Sequence, residues 1–377
     1  MSEINEFRVN VPQADLDDLA DRLARTRFAD ELPREEITDG VQRGMVQPGW
    51  EYGVPGSFVQ DMVAKWRAFD WRAQEARINA FPQFTTEIDG ETIHFVHVRS
   101  PHPDATPLIL THGWPNTFVE YLDLVEPLTN PEDPADAFDV VIPSLPGFGF
   151  SSRPRTKGWD AARTADAWAE LMTRLGYDRF AAHGNDAGAI VSPEIGRRHP
   201  DRVIAVHVTQ IYSFPSGDPS ELADLTEDEQ NYLGFLGTFV EYAVHDKIQQ
   251  AQPQTLAHAL ADSPAGQLAW IGQLLGALPD PDVLLTNATI YWLTNTAASS
   301  ARFYYENHHA DRDTTPTTFP IGLSSFAFDF RPLRRFAERD HKNIVAWTEH
   351  DRGSHWSAHD APDLLVDDLR AFYRDFR

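Results

Sequence analysis

The sequence predicts an α/β fold, a mostly parallel doubly wound sheet, on three observations. Short, nearly continuous apolar runs at Pro107–Thr111 and Phe138–Ile142 end in turn residues, as strands buried on both faces do. Strand and helix patterns then alternate as far as Thr209, the mark of a sheet covered by helices. Between residues 213 and 310 the chain turns mostly helical, and a strand returns at Ile344–Thr348 before a final amphipathic helix, Pro362–Phe376. One sheet interrupted by a helical insertion is the simplest topology. An insertion at that point could cover the carboxyl ends of the strands, where open α/β sheets bind ligands.

Each element follows from local pattern. Val11–Phe28 places Leu16, Leu19, Leu23, Ala20 and Ala24 on one helical face. Residues 30–55 break into turns rich in Pro and Gly, and Phe58–Phe69 reads as a second helix. No period-2 strand occurs in this opening stretch, so it reads as a helical meander that needs something larger to pack on. Phe84–Ile88 and Thr92–Val98 alternate about Asp89-Gly90, a hairpin signal. A helical segment, Val119–Leu128, separates the two buried strands; Thr164–Leu175 is a helix, Arg179–His183 a strand, Ala187–Arg198 a helix and Val203–Thr209 a strand. Within the insertion the helical candidates are Glu227–Tyr242, Ala265–Leu275 and Pro281–Ser300. The organisation expected is a meander at 1–82, a first core segment at 83–212, the helical insertion at 213–310 and a second core segment at 311–377.

Composition narrows the chemistry. Among 377 residues, 57 are acidic and 32 basic, and the net charge of −25 repels polyanions, which argues against nucleic-acid partners. No run of apolar residues is long enough to span a bilayer, and the opening Met-Ser-Glu-Ile-Asn-Glu lacks the basic and apolar regions of a secretory signal, so a cytoplasmic location is expected. The absence of cysteine removes disulfides, thiolate metal sites and a thiol nucleophile.

The most informative segment, His183-Gly184-Asn185-Asp186-Ala187-Gly188, lies between a strand and a helix. It fits the nucleophile-elbow pattern G-x-(nucleophile)-x-G with Asp186 in the reacting position, and it is the only match in the chain. Asp also caps helices, so the elbow alone does not decide between the two roles. A carboxylate at a helix N-terminus stays ionised and attacks without the help of a base. His112-Gly113-Trp114-Pro115 follows the first buried strand, and the backbone N–H groups of Trp114 and Ala187 can face one cleft as an oxyanion hole. Pro143–Ser151 opens at the same sheet edge. His355, in Arg352-Gly353-Ser354-His355-Trp356 after the last strand, is the candidate base. Its orienting acid should lie between the insertion and His355. Asp329, framed by Phe328 and Phe330, is favoured because such a carboxylate is costly to bury without a partner; Glu349 and Asp351 are the rivals. His359 stands four residues beyond His355, but without a third ligand in view it reads as a solvated surface residue.

These motifs, in this order, resemble the α/β-hydrolase-fold epoxide hydrolases, specifically the microsomal-type branch with an N-terminal meander. The resemblance extends through Leu256–Pro264, Leu268–Ile271 and Tyr291–Asn307 in the insertion. It implies that Asp186 is the nucleophile, His355 the base, Asp329 its acid and Tyr304 a lid tyrosine donating to the epoxide oxygen. The implied partners are a small-molecule epoxide and water, with no metal or cofactor; a homodimer is compatible with the sequence. Most members of the family have Gly at position 185 and Trp at 187, whereas this chain has Asn185 and Ala187. A backbone N–H at 187 keeps the oxyanion hole, while the missing indole enlarges the cleft for a bulky, secondary-metabolite type of epoxide. The second lid tyrosine of the family aligns with His245, with Tyr242 about one helical turn away, so these two are the candidates for a second proton donor. A haloalkane dehalogenase-like hydrolase is the rival enzyme, although Ala187 lacks the indole N–H that holds halide. A non-catalytic small-molecule-binding relative is the rival outside catalysis.

Overall fold

The computed structural model describes residues 3–33, 47 and 49–376. Most of the turn-rich stretch read at 30–55 lies outside the described residues. The chain divides into two compact units, one of residues 1–8, 79–229 and 309–377, the other of residues 9–78 and 230–308.

The first unit is built on a nine-stranded sheet in the order β1-β2-β3-β5-β4-β6-β7-β8-β9. Its strands are β1 (Asn5–Phe7), β2 (Gln83–Ile88), β3 (Glu91–Val98), β4 (Thr106–Thr111), β5 (Phe138–Pro143), β6 (Phe180–Gly184), β7 (Val203–Val208), β8 (Ile321–Ser325) and β9 (Ile344–Glu349). Pairing is antiparallel from β1 through β3 to β5 and parallel across the rest. The expected doubly wound, mostly parallel sheet is therefore present. The central strands are apolar throughout because no face meets water: Leu108, Ile109, Leu110, Val140, Val141 and Ile142 are fully buried. Helix Ala161–Arg174 is capped by Asp160, whose carboxylate accepts the Arg163 N–H, and buries Ala165, Trp168, Leu171 and Met172. Helix Pro362–Arg374 buries Leu365, Leu369 and Tyr373, and the Tyr373 hydroxyl donates to the Ala182 carbonyl of β6.

Strand order reverses around β4. The chain leaves β4 for β5 on one side and later places β6 on the other, creating a switch point at the carboxyl ends of these strands. The loops after β4, β5 and β6 all open there.

The second unit is helical. Gly56–Ala68 packs against Pro264–Leu275 and Pro281–Thr294, with the Trp66 indole N–H donating to Thr289 Oγ1 at 2.8 Å. The meander thus packs on helices of the insertion, joined by Gln13–Ala24 through buried Leu19 and Leu23.

Several elements differ from sequence expectation. Asn5–Phe7 is an edge strand paired to Phe84, although three residues carry too little alternation to be read as one. A short helix, Trp71–Ile78, follows the one expected to close near Trp71. The segment after β4 begins as a 3₁₀ helix, Phe118–Leu124, before the α-helix Val125–Thr129. Pro281–Ser300 is two helices, Pro281–Thr294 and Ala297–His309, because Asn295 adopts φ +50° and ends the first in a left-handed cap. Strand β8 carries no strand signal in the sequence, because Ile-Gly-Leu-Ser-Ser lacks an apolar run. Its Gly322 is required by the fold: a Cβ there would stand 2.6 Å from the Phe372 ring. No helix among the described residues is long and apolar enough to cross a membrane.

Candidate active site

The turn after β6 carries Asp186 at φ +53°, in the left-handed region, followed at once by helix Gly188–Arg198. Such backbone is costly for a residue with a side chain and persists only when its surroundings hold it. The Asp186 N–H donates to Gln210 Oε1 at 2.8 Å, and close packing demands the two flanking glycines. A Cβ on Gly184 would lie 2.0 Å from the Gly188 carbonyl oxygen, and one on Gly188 would lie 1.8 Å from that of Thr111. Gly188→Ala is therefore expected to destabilise the protein by about 1–3 kcal/mol, measured as a lowered denaturation midpoint; an unchanged midpoint would show that the turn has room.

The Asp186 carboxylate, with its side chain 18 % exposed, meets two groups from other loops. Oδ1 accepts the Trp114 N–H at 2.9 Å, and Oδ2 lies 3.4 Å from His355 Nε2. Gly113 permits the approach, since a Cβ there would stand 2.2 Å from Oδ1. Burial opposes ionisation of Asp186, but the hydrogen bond and charge of His355, with the amides of Trp114 and Ala187, outweigh it and lower the pKa.

His355 Nδ1 lies 2.8 Å from Asp329 Oδ1. The Asp329 side chain is 1 % exposed, and its other oxygen accepts from Gln210 Nε2 at 2.6 Å. The rivals stand apart: Asp351 is exposed, and the exposed Glu349 accepts from the Trp347 indole. Burial pushes the His355 imidazole down, yet the Asp329 charge and the bond to Asp186 carry it up to about 10. A histidine with a raised folded pKa stabilises fully below the unfolded value near 6.5, and that contribution disappears as pH rises through about 10. The stability difference between wild type and His355→Gln should therefore shrink between those two pH values in denaturant titrations. A difference constant with pH would place the imidazolium elsewhere.

His112 is buried and pushed down to about 4 chiefly by desolvation. It braces the loops, accepting the Leu145 N–H at Nε2 and facing the Gly113 carbonyl with Nδ1. His359 is half-buried, with Nε2 3.2 Å from Asn116 Oδ1, so it is not the solvated residue expected from its spacing.

The remaining candidates belong to the second unit. Tyr304 lies on helix Ala297–His309, its ring centroid 6.4 Å from that of His245 and nearly perpendicular to it. Tyr242 ends helix Glu227–Tyr242, while His245 sits in the first turn of Val244–Ala251; the break at Ala243 means that the two do not share a helix. Both line an apolar cavity of about 690 Å³ with Phe239, Leu260 and Trp270.

Sequence reasoning missed Gln210, which ties the elbow to Asp329, and Glu120, whose carboxylate accepts from Asn185 Nδ2 at 2.6 Å. Gln210 could have been found from its place just beyond the end of β7. No local pattern distinguishes Glu120.

Residues 4–121 match the model of the epoxide hydrolase N terminus, and residues 106–304 match that of the alpha/beta hydrolase fold. A protein of Stigmatella aurantiaca (strain DW4/3-1), named "Putative epoxide hydrolase", is 40% identical over 99% of this chain and 86% of its own length. Epoxide hydrolase 1 of Sus scrofa is 29% identical over 98% of this chain and 88% of its own. The solved Aspergillus niger epoxide hydrolase superposes with a TM-score of 0.84 at 30% identity, covering 100% of this chain and 97% of that one. With an aspartate at the elbow and a histidine–aspartate pair beside it, the chain belongs to the epoxide hydrolases of the α/β-hydrolase fold.

Proposed function

We propose that the protein converts an epoxide to a vicinal diol through an ester on Asp186, hydrolysed by water that His355 activates with Asp329 as its partner. The observation that carries this reading is the division of labour between the two carboxylate oxygens. Oδ1 is held by the Trp114 N–H, which leaves Oδ2 to attack a ring carbon. The ester that results keeps its carbonyl, Oδ1, among the donors Trp114 and Ala187, already polarised for attack by water.

Ester formation also switches His355. The Asp186 charge is one of the causes that keep its imidazole protonated, and the ester removes that charge. Once His355 has released that proton to solvent, its imidazole is the base that takes a proton from the attacking water, and Asp329 steadies the imidazolium that forms again. By the family resemblance, Tyr304 supplies the proton to the opening ring, with His245 or Tyr242 as the second donor. Ala187 in place of an indole favours bulky neutral epoxides.

One turnover in heavy-oxygen water tests the reading. The label should enter Asp186, because the diol oxygen comes from Oδ2, and reach diol only in later turnovers. Label appearing directly in the first diol would overturn the ester. A panel from styrene-oxide-sized to polycyclic epoxides tests the substrate class; equal or better rates on the small ones would overturn it.

A further inference from the structure

Gln210 lies just beyond β7, is fully buried and occupies none of the reacting positions described above. Its single side-chain amide nevertheless meets two of them. Oε1 accepts the Asp186 N–H at 2.8 Å, and Nε2 donates to Asp329 Oδ2 at 2.6 Å. The amide works in one orientation only, because an N–H on Asp186 demands the carbonyl and a carboxylate on Asp329 demands the NH2. The Thr209 hydroxyl stands behind it, 3.0 Å from Gln210 Oε1 and 2.7 Å from Asn185 Oδ1.

Both contacts fix something the reaction needs. Asp186 holds φ +53°, backbone that persists only where the surroundings maintain it, and Gln210 grips the N–H of that residue. Asp329 has two oxygens that could turn toward the base. With Oδ2 taken by Gln210 and Oδ1 accepting the Phe330 N–H, Oδ1 is the oxygen 2.8 Å from His355 Nδ1. The imidazole is thereby aimed with Nε2 toward Asp186, 3.4 Å from Oδ2.

We propose that Gln210 is the positioning residue shared by the nucleophile and the base: Oε1 sets the backbone of Asp186, and Nε2 turns Asp329 so that His355 presents Nε2 to the ester. The role rests on the epoxide-hydrolase reading of the same site. Its two halves act at different steps. Attack by Oδ2 as an anion needs the elbow but not the imidazole, whereas hydrolysis needs both, so the Nε2 contact serves hydrolysis alone.

The charged groups that Gln210 meets are Asp186 and Asp329, with His355 between them. On the flanking strands, His183 of β6 and His207 of β7 are pushed down to about 3, chiefly by burial, and are neutral near pH 7. Asp368, on helix Pro362–Arg374, is engaged by Ser324 and His350. Glu120, reached through Asn185, is pushed up to about 8, chiefly by burial, and is neutral at pH 7.

Gln210→Glu separates the two contacts, since it keeps an oxygen for the Asp186 N–H and sets a second one against Asp329 Oδ2. In rapid-quench kinetics on the full-length protein at neutral pH, ester hydrolysis should fall about ten-fold to a hundred-fold, the loss of one hydrogen bond to a charged group. Ester formation should stay within about three-fold of wild type. At low pH the two facing carboxyl groups share a proton and the contact returns, so the hydrolysis rate relative to wild type should fall as pH rises. Gln210→Met, of similar length without polar atoms, should slow both steps, hydrolysis the more, by a factor that does not change with pH. Equal slowing of the two steps in both variants, or unchanged hydrolysis in Gln210→Glu, would overturn the role. NMR of the resting protein reads the positioning without substrate: the His355 Nδ1 proton should shift in Gln210→Glu, and an unmoved signal would overturn the role whatever the reaction. A wild-type enzyme that forms no adduct on Asp186 would overturn the reaction reading instead.

Discussion

Replacing Asp186 by Asn is expected to lower epoxide turnover by about 10⁴-fold or more with the fold intact. The amide keeps the volume of the carboxylate, and Asn tolerates the left-handed backbone at φ +53°. What it loses is the proposed nucleophile, the carboxylate that meets both the Trp114 N–H and His355. The bond to His355 weakens with it, so the imidazole pKa should drop from about 10. Steady-state assays beside a denaturation curve read the first effect, and histidine NMR reads the second. More than about 1 % residual turnover, in protein shown by mass spectrometry to retain the Asn, would sink the assignment.

The second large effect divides the reaction in two. His355→Gln should still form the ester, because Oδ2 attacks as an anion, but should hydrolyse it about 10²–10⁴-fold more slowly. Protein incubated with epoxide should then gain the mass of one substrate molecule on the peptide containing Asp186. Diol release at the wild-type rate would mean that water is activated elsewhere. The two variants are complementary: one forms no ester and the other releases it slowly.

Much of this site was legible before any coordinates. The elbow at Asp186, the His112–Pro115 turn and His355 are written in contiguous residues whose order along the chain reports their places at strand ends. Asp329 was favoured over Glu349 and Asp351 by a cost argument, that a carboxylate framed by Phe328 and Phe330 needs a partner; Phe328 is in fact exposed, and His355 Nδ1 lies 2.8 Å from Asp329 Oδ1. Strand β8 was not legible, because Gly322 and two serines hide a strand that only its buried neighbours explain. The break at Asn295 was missed for the opposite reason, since the helical pattern continues smoothly across a single left-handed residue.

The sequence by itself determined the class of fold and placed Asp186 and His355 as candidates at strand ends, because periodicity and turn chemistry are local properties of the chain. Tertiary structure alone decided what surrounds them. Asn185 reaches Glu120 across 65 residues, and Gln210 reaches Asp329 across 119. The glycines of the elbow are explained by backbone carbonyls that folding brings close, that of Thr111 on β4 for Gly188 and that of Gly188 itself for Gly184. Charge states belong to the same class: Asp186 below its usual range, His355 at about 10 and Glu120 at about 8 arise from burial and from charges brought together by folding. No local pattern encodes them, because the field at each group is a sum over neighbours that only the folded chain assembles.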